Sequence, residues 1–144
     1  MNNDVNKSKR VEYVSKLMSA IGEGKTIIYI DETNCNLFIR RSIGLSIKGT
    51  RYAIKAPTTK GKNVHVLAGI TQTGIVYWER RRGSYLREDC NEWMRTTLRQ
   101  VNEPMENVVI VCDNAPVHVR LETVVQEEEF EGATILRSGP YSAL

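Results

Sequence analysis

Thr26-Ile27-Ile28-Tyr29-Ile30-Asp31-Glu32-Thr33 and Val108-Val109-Ile110-Val111-Cys112-Asp113-Asn114-Ala115-Pro116-Val117-His118 decide how this chain folds. Each is a short, β-branched apolar run that leads directly into an acid. Runs of this kind form central strands buried on both faces. A central strand tolerates a carboxylate only where its end opens onto a site. If the two strands lie side by side and parallel, Asp31 and Asp113 meet at one rim of the sheet. Two ionised carboxylates about 4 Å apart repel by roughly 4 kcal/mol at an effective dielectric near 20. A shared proton would offset that repulsion. So would a divalent metal, because hard cations take paired carboxylates as ligands. Taken singly, an Asp or Asn after a strand is an ordinary turn residue whose side chain bonds the nearby backbone. The repetition of the pattern on two strands is what singles these acids out.

A chain of 144 residues is enough for one domain with one core. Its 41% hydrophobic and 26% charged residues are ordinary for a globular protein. No apolar run approaches the roughly 18 residues of a membrane span, and Met1-Asn2-Asn3-Asp4 has none of the regions of a signal peptide. Three cysteines (Cys35, Cys90 and Cys112) cannot all pair, and none has metal-ligand spacing. Cys112 reads as a small buried hydrophobe inside its strand. The expectation is a protein without a membrane, in a reducing compartment: the nucleus in a eukaryote, the cytoplasm otherwise.

The net charge of +3 conceals an asymmetry. Residues 40–87 carry 11 basic side chains against the single acid Glu79, a balance of +10. Residues 103–131 carry 8 acids against Arg120, a balance of −7. A lopsided field suits a polyanion on its basic side, here through Arg40, Arg41, Lys48, Arg51, Lys60, Lys62, Arg80, Arg81 and Arg82. The plainer reading is solvated hairpin and loop charge. The Glu127–Glu129 run reads as a solvated helix face.

The remaining elements follow from periodicity. Val11, Val14, Leu17, Met18 and Ile21 recur at helical spacing, with Gly22 as a stop. Residues 35–62 are basic and loop-rich, with short strands expected near Leu37–Arg40 and Tyr52–Lys55. Asn63–Ile70 and Ile75–Arg80 form a hairpin in which Val64, Val66, Ala68 and Ile70 share one face. Ser84 is placed to cap a helix whose inward set is Leu86, Cys90, Trp93, Met94, Leu98 and Val101. Pro116 suits the first turn of a helix with Val117, Leu121, Val124 and Val125 inward, ended by Gly132. Ala133–Arg137 reads as the last strand. The order predicts an α/β domain with a mixed sheet. His65, inside a hairpin strand, reads as structural.

Three segments together resemble the catalytic domain of mariner-like DDE transposases. They are Asp31-Glu32-Thr33, Asp113-Asn114-Ala115-Pro116-Val117-His118, and Leu136-Arg137-Ser138-Gly139-Pro140-Tyr141-Ser142. The resemblance covers about residues 25–144 and leaves 1–24 as an N-terminal helix or linker. It implies a ribonuclease H-like fold, with an antiparallel hairpin on one side of the first acid's strand and the second acid's strand parallel on the other. It implies metal-dependent DNA strand cleavage and transfer, with two Mg²⁺ or Mn²⁺ ions held by three carboxylates. By match, Asp31 bridges both metals and Asp113 binds one. Asn114 and His118 stand beside them as supporting residues, and His118 either orients Asp113 or approaches DNA.

The chain also departs from that pattern. In the family a third acid follows the proline–tyrosine–serine element and begins a closing helix. Here the sequence runs 31 residues past Asp113, holds no acid after Glu131, and has Ala143 where a second proline is usual. The expectation is a C-terminally incomplete catalytic domain that binds DNA, holds metal weakly and cleaves little by itself. It would also self-associate through an uncovered sheet face. The competing expectation is a non-catalytic nucleic-acid-binding module in which the two acids are relics. A phosphotransferase using Asp31 as nucleophile is a third reading, although no glycine-rich phosphate cradle of the Walker type is present.

Overall fold

The structure, a computed structural model, describes residues 4–35, 45–51, 63–118 and 120–139. Its elements are α1 (Asp4–Gly22), β1 (Thr26–Cys35), β2 (Val64–Thr71), β3 (Gly74–Arg82), α2 (Arg87–Arg99), β4 (Val108–Cys112), α3 (Leu121–Val125) and β5 (Thr134–Arg137). The strands form one sheet in the order β3-β2-β1-β4-β5. The β1–β2 and β2–β3 pairs are antiparallel, whereas β1–β4 and β4–β5 are parallel. This is the mixed sheet that periodicity predicted, with the two acid-bearing strands side by side and parallel. The strands expected near Leu37–Arg40 and Tyr52–Lys55 lie outside the described residues.

All five residues of β4 are buried, as a β-branched run between two parallel neighbours requires. On one face of the sheet, Ile28, Ile30, Leu67, Val108, Ile110 and Cys112 join Cys90, Trp93, Met94 and Leu98 of α2, together with Leu121, Val124 and Phe130. Gly69 lets α2 come this close. A Cβ there would lie 3.3 Å from both Trp93 and Thr97 and 3.4 Å from Ile28. The hairpin therefore faces the core with His65, Leu67 and Gly69, and not with the regular set Val64, Val66, Ala68 and Ile70. Those four lie on the opposite face, where Ile70 is 46% exposed.

The helices correct several expectations. The α1 stripe Val11, Val14, Met18 and Ile21 is about half or more exposed, while Tyr13 and Ala20 are buried. Tyr13 lies next to Tyr29 of β1, and burial pushes its phenol pKa up. α1 ends at Gly22, as expected, and Gly24 forms the turn that closes it. With φ +74°, Gly24 donates its N–H to the Ile21 carbonyl, and Lys25 donates to Ala20, which is a Schellman closure. Ser84 does not cap α2. Leu86 occupies that position in extended backbone, its N–H bonded to the Asp89 carboxylate at 2.9 Å. Being outside the helix, Leu86 leaves the inward stripe and is exposed, and buried Tyr85 takes its place, its hydroxyl donating to the Glu79 carbonyl.

The helix expected after Pro116 is broken into a 3₁₀ turn at Pro116–His118, the short α3, and a second 3₁₀ turn at Glu128–Phe130. One cause is visible at its start. The His118 carbonyl, which would accept a bond within a continuing helix, instead accepts from Arg137. The acidic run is not simply solvated. Arg95 forks onto Glu127, and Arg99 onto Glu129, so that these carboxylates fasten the loop to α2.

Two measurements follow. Gly69→Val overpacks the interface with α2 and should lower stability by about 1–3 kcal/mol in a denaturant titration; unchanged stability would show that α2 is not held against this strand. The second concerns pH. Arg95 beside Glu127 and Arg99 beside Glu129 hold those carboxyls below the ordinary range, as the Leu86 N–H and then Arg81 do for Asp89. Groups with lowered folded pKa contribute stability above their unfolded pKa and lose it as pH falls through the folded one. The melting temperature should hold down to about pH 5 and decline below it. Replacing Glu127 and Glu129 by Gln should flatten that decline.

Candidate active site

The parallel pairs Thr26↔Val108, Ile27↔Val109, Ile28↔Ile110 and Tyr29↔Val111 share an offset of 82 residues. Carried two residues further, that register sets Asp31 opposite Asp113. Neighbouring strands run about 4.8 Å apart, so the two acids stand at one level of adjacent chains. One expectation needs correction: β1 does not end at Asp31. It continues to Cys35 along β2, while β4 stops at Cys112. The acids lie where β4 ends and β1 runs on, paired there with β2 alone among the described residues. Asp31 has the parity of Ile27 and Tyr29, opposite to that of Ile28 and Ile30, so it points away from the α2 core.

Each carboxylate spends one oxygen on the chain's own donors. Asp31 Oδ1 accepts the Glu32 N–H at 2.8 Å. Asp113 Oδ1 accepts the Ala115 N–H at 2.9 Å, closing an Asx turn, and meets His118 Nδ1 at 2.6 Å. A carboxylate oxygen only accepts, so the hydrogen of that last pair sits on Nδ1. The His118 side chain is fully buried, and its Nε2 has no hydrogen-bond partner among the described residues. Of the two roles expected for His118, its Nδ1 contact with Asp113 is the one the described residues display. Asn114 donates from Nδ2 to the Ser138 carbonyl at 2.9 Å, tying the Asp113 loop to the exit of β5.

Sequence reasoning missed Arg137. Its guanidinium forks onto Glu122, Nε to Oε1 and Nη2 to Oε2, each at 2.8 Å. The same group donates Nη1 to the Asp113 carbonyl at 3.0 Å and Nη2 to the His118 carbonyl at 2.5 Å. One side chain thus fastens both ends of the acid-bearing loop to β5, whose Arg137 pairs with Cys112 in the sheet. A cation ending a strand parallel to the acid's strand was the available signal. Glu32, next to Asp31, points to the core face and meets His65 Nδ1 at 2.6 Å, which makes it a partner of His65 and not a third member of the site.

The oxygen-only donors of Asp31 and Asp113 suit a hard divalent cation. Neither Oδ2 has a hydrogen-bond partner among the described residues, which leaves each free to ligate. Among the described residues no group of three or more His, Cys, Asp and Glu side chains is placed to share one ion. The neighbouring thiols are not substitutes: burial pushes Cys112 up to about 11 and Cys90 up to about 12, far from thiolate.

The expected nucleic-acid residues divide. Arg80 and Arg82 are exposed, with no ion-pair partner among the described residues, on the same sheet face as Asp31. Arg81 has the opposite parity; it pairs with Asp89 at 2.5 Å and lies 5.2 Å over the Tyr85 ring. Lys48 and Arg51 sit on an exposed turn closed by the Thr50 N–H on the Ile47 carbonyl. Arg40, Arg41, Lys60 and Lys62 lie outside the described residues.

Arg137→Met removes every bond from that guanidinium and leaves the Asp113 and His118 carbonyls without it. Hydrogen bonds to charged groups contribute about 1.5–3 kcal/mol each when buried, and Glu122 is half exposed. A loss of about 2 kcal/mol is expected in a denaturant titration, with faster amide exchange confined to residues 113–118. Unaltered exchange there would contradict the clamp.

A family model described as DDE superfamily endonuclease matches residues 26–143. Comparison with curated proteins finds no match. Among solved structures, the chain superposes on a pre-cleavage Mos1 transpososome with TM-score 0.74 and 18% identity, over 97% of this chain and 45% of that one. It superposes on the Mos1 mariner paired end complex with Mn with TM-score 0.73 and 19% identity, over 97% and 44%. For the catalytic domain of Mos1 mariner transposase the values are 0.64 and 17%, over 97% and 64%. The chain spans less than half the length of the first two of these relatives. The shared fold is the ribonuclease H-like sheet that the resemblance implied, and the family match takes in most of the sequence: this protein belongs to the DDE superfamily endonucleases.

Proposed function

We propose that this chain is the acid-bearing portion of a transposase catalytic domain, which binds DNA and holds Mg²⁺ or Mn²⁺ between Asp31 and Asp113. The observation that supports this reading is the parallel β1–β4 register, paired through Tyr29↔Val111, whose continuation by two residues leads to Asp31 on one strand and Asp113 on the other. The transpososome and the Mn-containing paired end complex among its structural relatives support the same direction.

The chain's own residues have distinct tasks. Asp31 and Asp113 supply the ligating oxygens. His118 holds the Asp113 carboxylate through Nδ1, and Arg137 holds the loop that carries both. Arg80 and Arg82 offer phosphate contacts on the face of Asp31. A divalent cation bound there removes the repulsion between the acids and polarises a phosphodiester oxygen. Two carboxylates are fewer than the three the family uses, and Mg²⁺ gives up its water reluctantly. These 144 residues alone should therefore bind metal weakly and cut DNA slowly or not at all.

The second reading, a DNA-binding module whose acids are relics, is favoured by the lack of any three-ligand group among the described residues. One experiment separates the two. Mn²⁺ binding is titrated into the wild type, Asp31→Asn and Asp113→Asn, alongside nicking of supercoiled DNA in Mg²⁺ and Mn²⁺. The first reading expects weak Mn²⁺ binding that falls at least tenfold in either variant, with little nicking. Identical titrations would favour the relic reading. Vigorous nicking abolished by Asp31→Asn would show that another group of this chain completes the site. In either reading DNA affinity should fall steeply with salt. Loss of the exposed sheet face to self-association, also expected here, would appear as concentration-dependent light scattering.

A further inference from the structure

The register of the hairpin places an unassigned side chain in line with Asp31. Asp31 is opposite Ala68, and Ala68 is opposite Trp78; Thr33, Val66 and Arg80 form the next row, and Cys35, Val64 and Arg82 the one after. Directly opposed residues share a face. Trp78, Arg80 and Arg82 therefore project from the face that carries Asp31, with Trp78 about two strand spacings, or roughly 10 Å, from it and the arginines further along β3.

Trp78 is 52% exposed. The other tryptophan, Trp93, shows what the core asks of an indole: it is 2% exposed and lies 6.1 Å from the Tyr77 ring on the opposite face. Trp78 has no such neighbour ring, and its flanking arginines have no ion-pair partner among the described residues. An exposed indole beside two unpaired guanidinium groups joins a π-face to a phosphate-binding stripe. That is the combination that binds single-stranded nucleic acid, with bases stacked on aromatics and the backbone on cations.

We propose that Trp78 is a stacking platform for an unpaired nucleobase of a DNA strand whose phosphates lie on Arg80 and Arg82. This rests on the DNA-binding reading above and adds to it a preference for unpaired ends. The β3 part of this face fits a nucleic-acid strand because its exposed charge there is Arg80 and Arg82; a second copy of the chain would bring the same two arginines against them.

The test uses the full chain and two labelled DNAs, a blunt duplex and the same duplex with a short unpaired 3′ end carrying 2-aminopurine. Wild type should bind the frayed DNA more tightly and quench the 2-aminopurine. Trp78→Ala should lose about tenfold on the frayed DNA alone, and lose the quenching. Trp78→Phe should retain most of both, and matching melts would show that each variant folds. Arg80→Ala with Arg82→Ala should weaken both DNAs and reduce the salt slope. If Trp78→Ala binds both DNAs as wild type does while the arginine variant weakens both, the stacking proposal is wrong and the DNA-binding reading stands. If wild type binds neither DNA, both fail. Equal loss on both DNAs, or loss of self-association with DNA affinity unchanged, would also overturn it.

Discussion

The parallel pairing of β1 with β4 is the constraint on which the rest depends. Its register fixes which residue of one strand faces which of the other, and a slip of one residue would turn every side chain of a strand to the wrong face. With Thr26 opposite Val108, Ile28 and Ile110 enter the core together and Asp31 comes level with Asp113. The apolar alternation that makes the core is thus the same pattern that assembles the acids. β4 then ends and β1 continues, paired among the described residues with β2 alone, where the acids stand.

Charge on this molecule is sorted by what it touches. Much of the acidic half is consumed internally: Glu122 by Arg137, Glu127 by Arg95, Glu129 by Arg99. These pairs fasten the broken helical segment after β4 to α2 and β5. On the basic side, sheet parity decides. Arg81 is turned to α2 and spent on Asp89 and Tyr85, whereas Arg80 and Arg82 are turned to the acid face, with no ion-pair partner among the described residues. The asymmetry counted along the chain thus becomes, in three dimensions, a positive edge on β3 that flanks two carboxylates on the same sheet.

What was legible in the sequence were the features that depend on local pattern. The two acid-bearing strands, the hairpin and the inward set of α2 from Cys90 to Leu98 follow from periods of two and 3.6. Boundaries and facing were less legible where a long-range contact overrode the pattern. The hairpin's regular apolar set does share one face, but the core lies on the other, which Gly69, carrying no side chain, marks only by yielding space to Trp93. Leu86 matched the helical stripe but sits in extended backbone before the first turn. The helix after Pro116 is interrupted because Arg137, distant in sequence, takes the His118 carbonyl. Of the candidate site, Asp31, Asp113, Asn114 and His118 were visible in the sequence as residue types at a spacing, with their roles left to the proposal above. The clamp by Arg137 was not, because its partners are backbone carbonyls, which no sequence pattern displays.

The most direct measurement is anomalous diffraction from crystals of this protein grown with Mn²⁺. The account predicts a peak within ligand distance of both the Asp31 and Asp113 carboxylates, with His118 still bonded to Asp113. Manganese bound elsewhere, or the two carboxylates too far apart to share an ion, would contradict it.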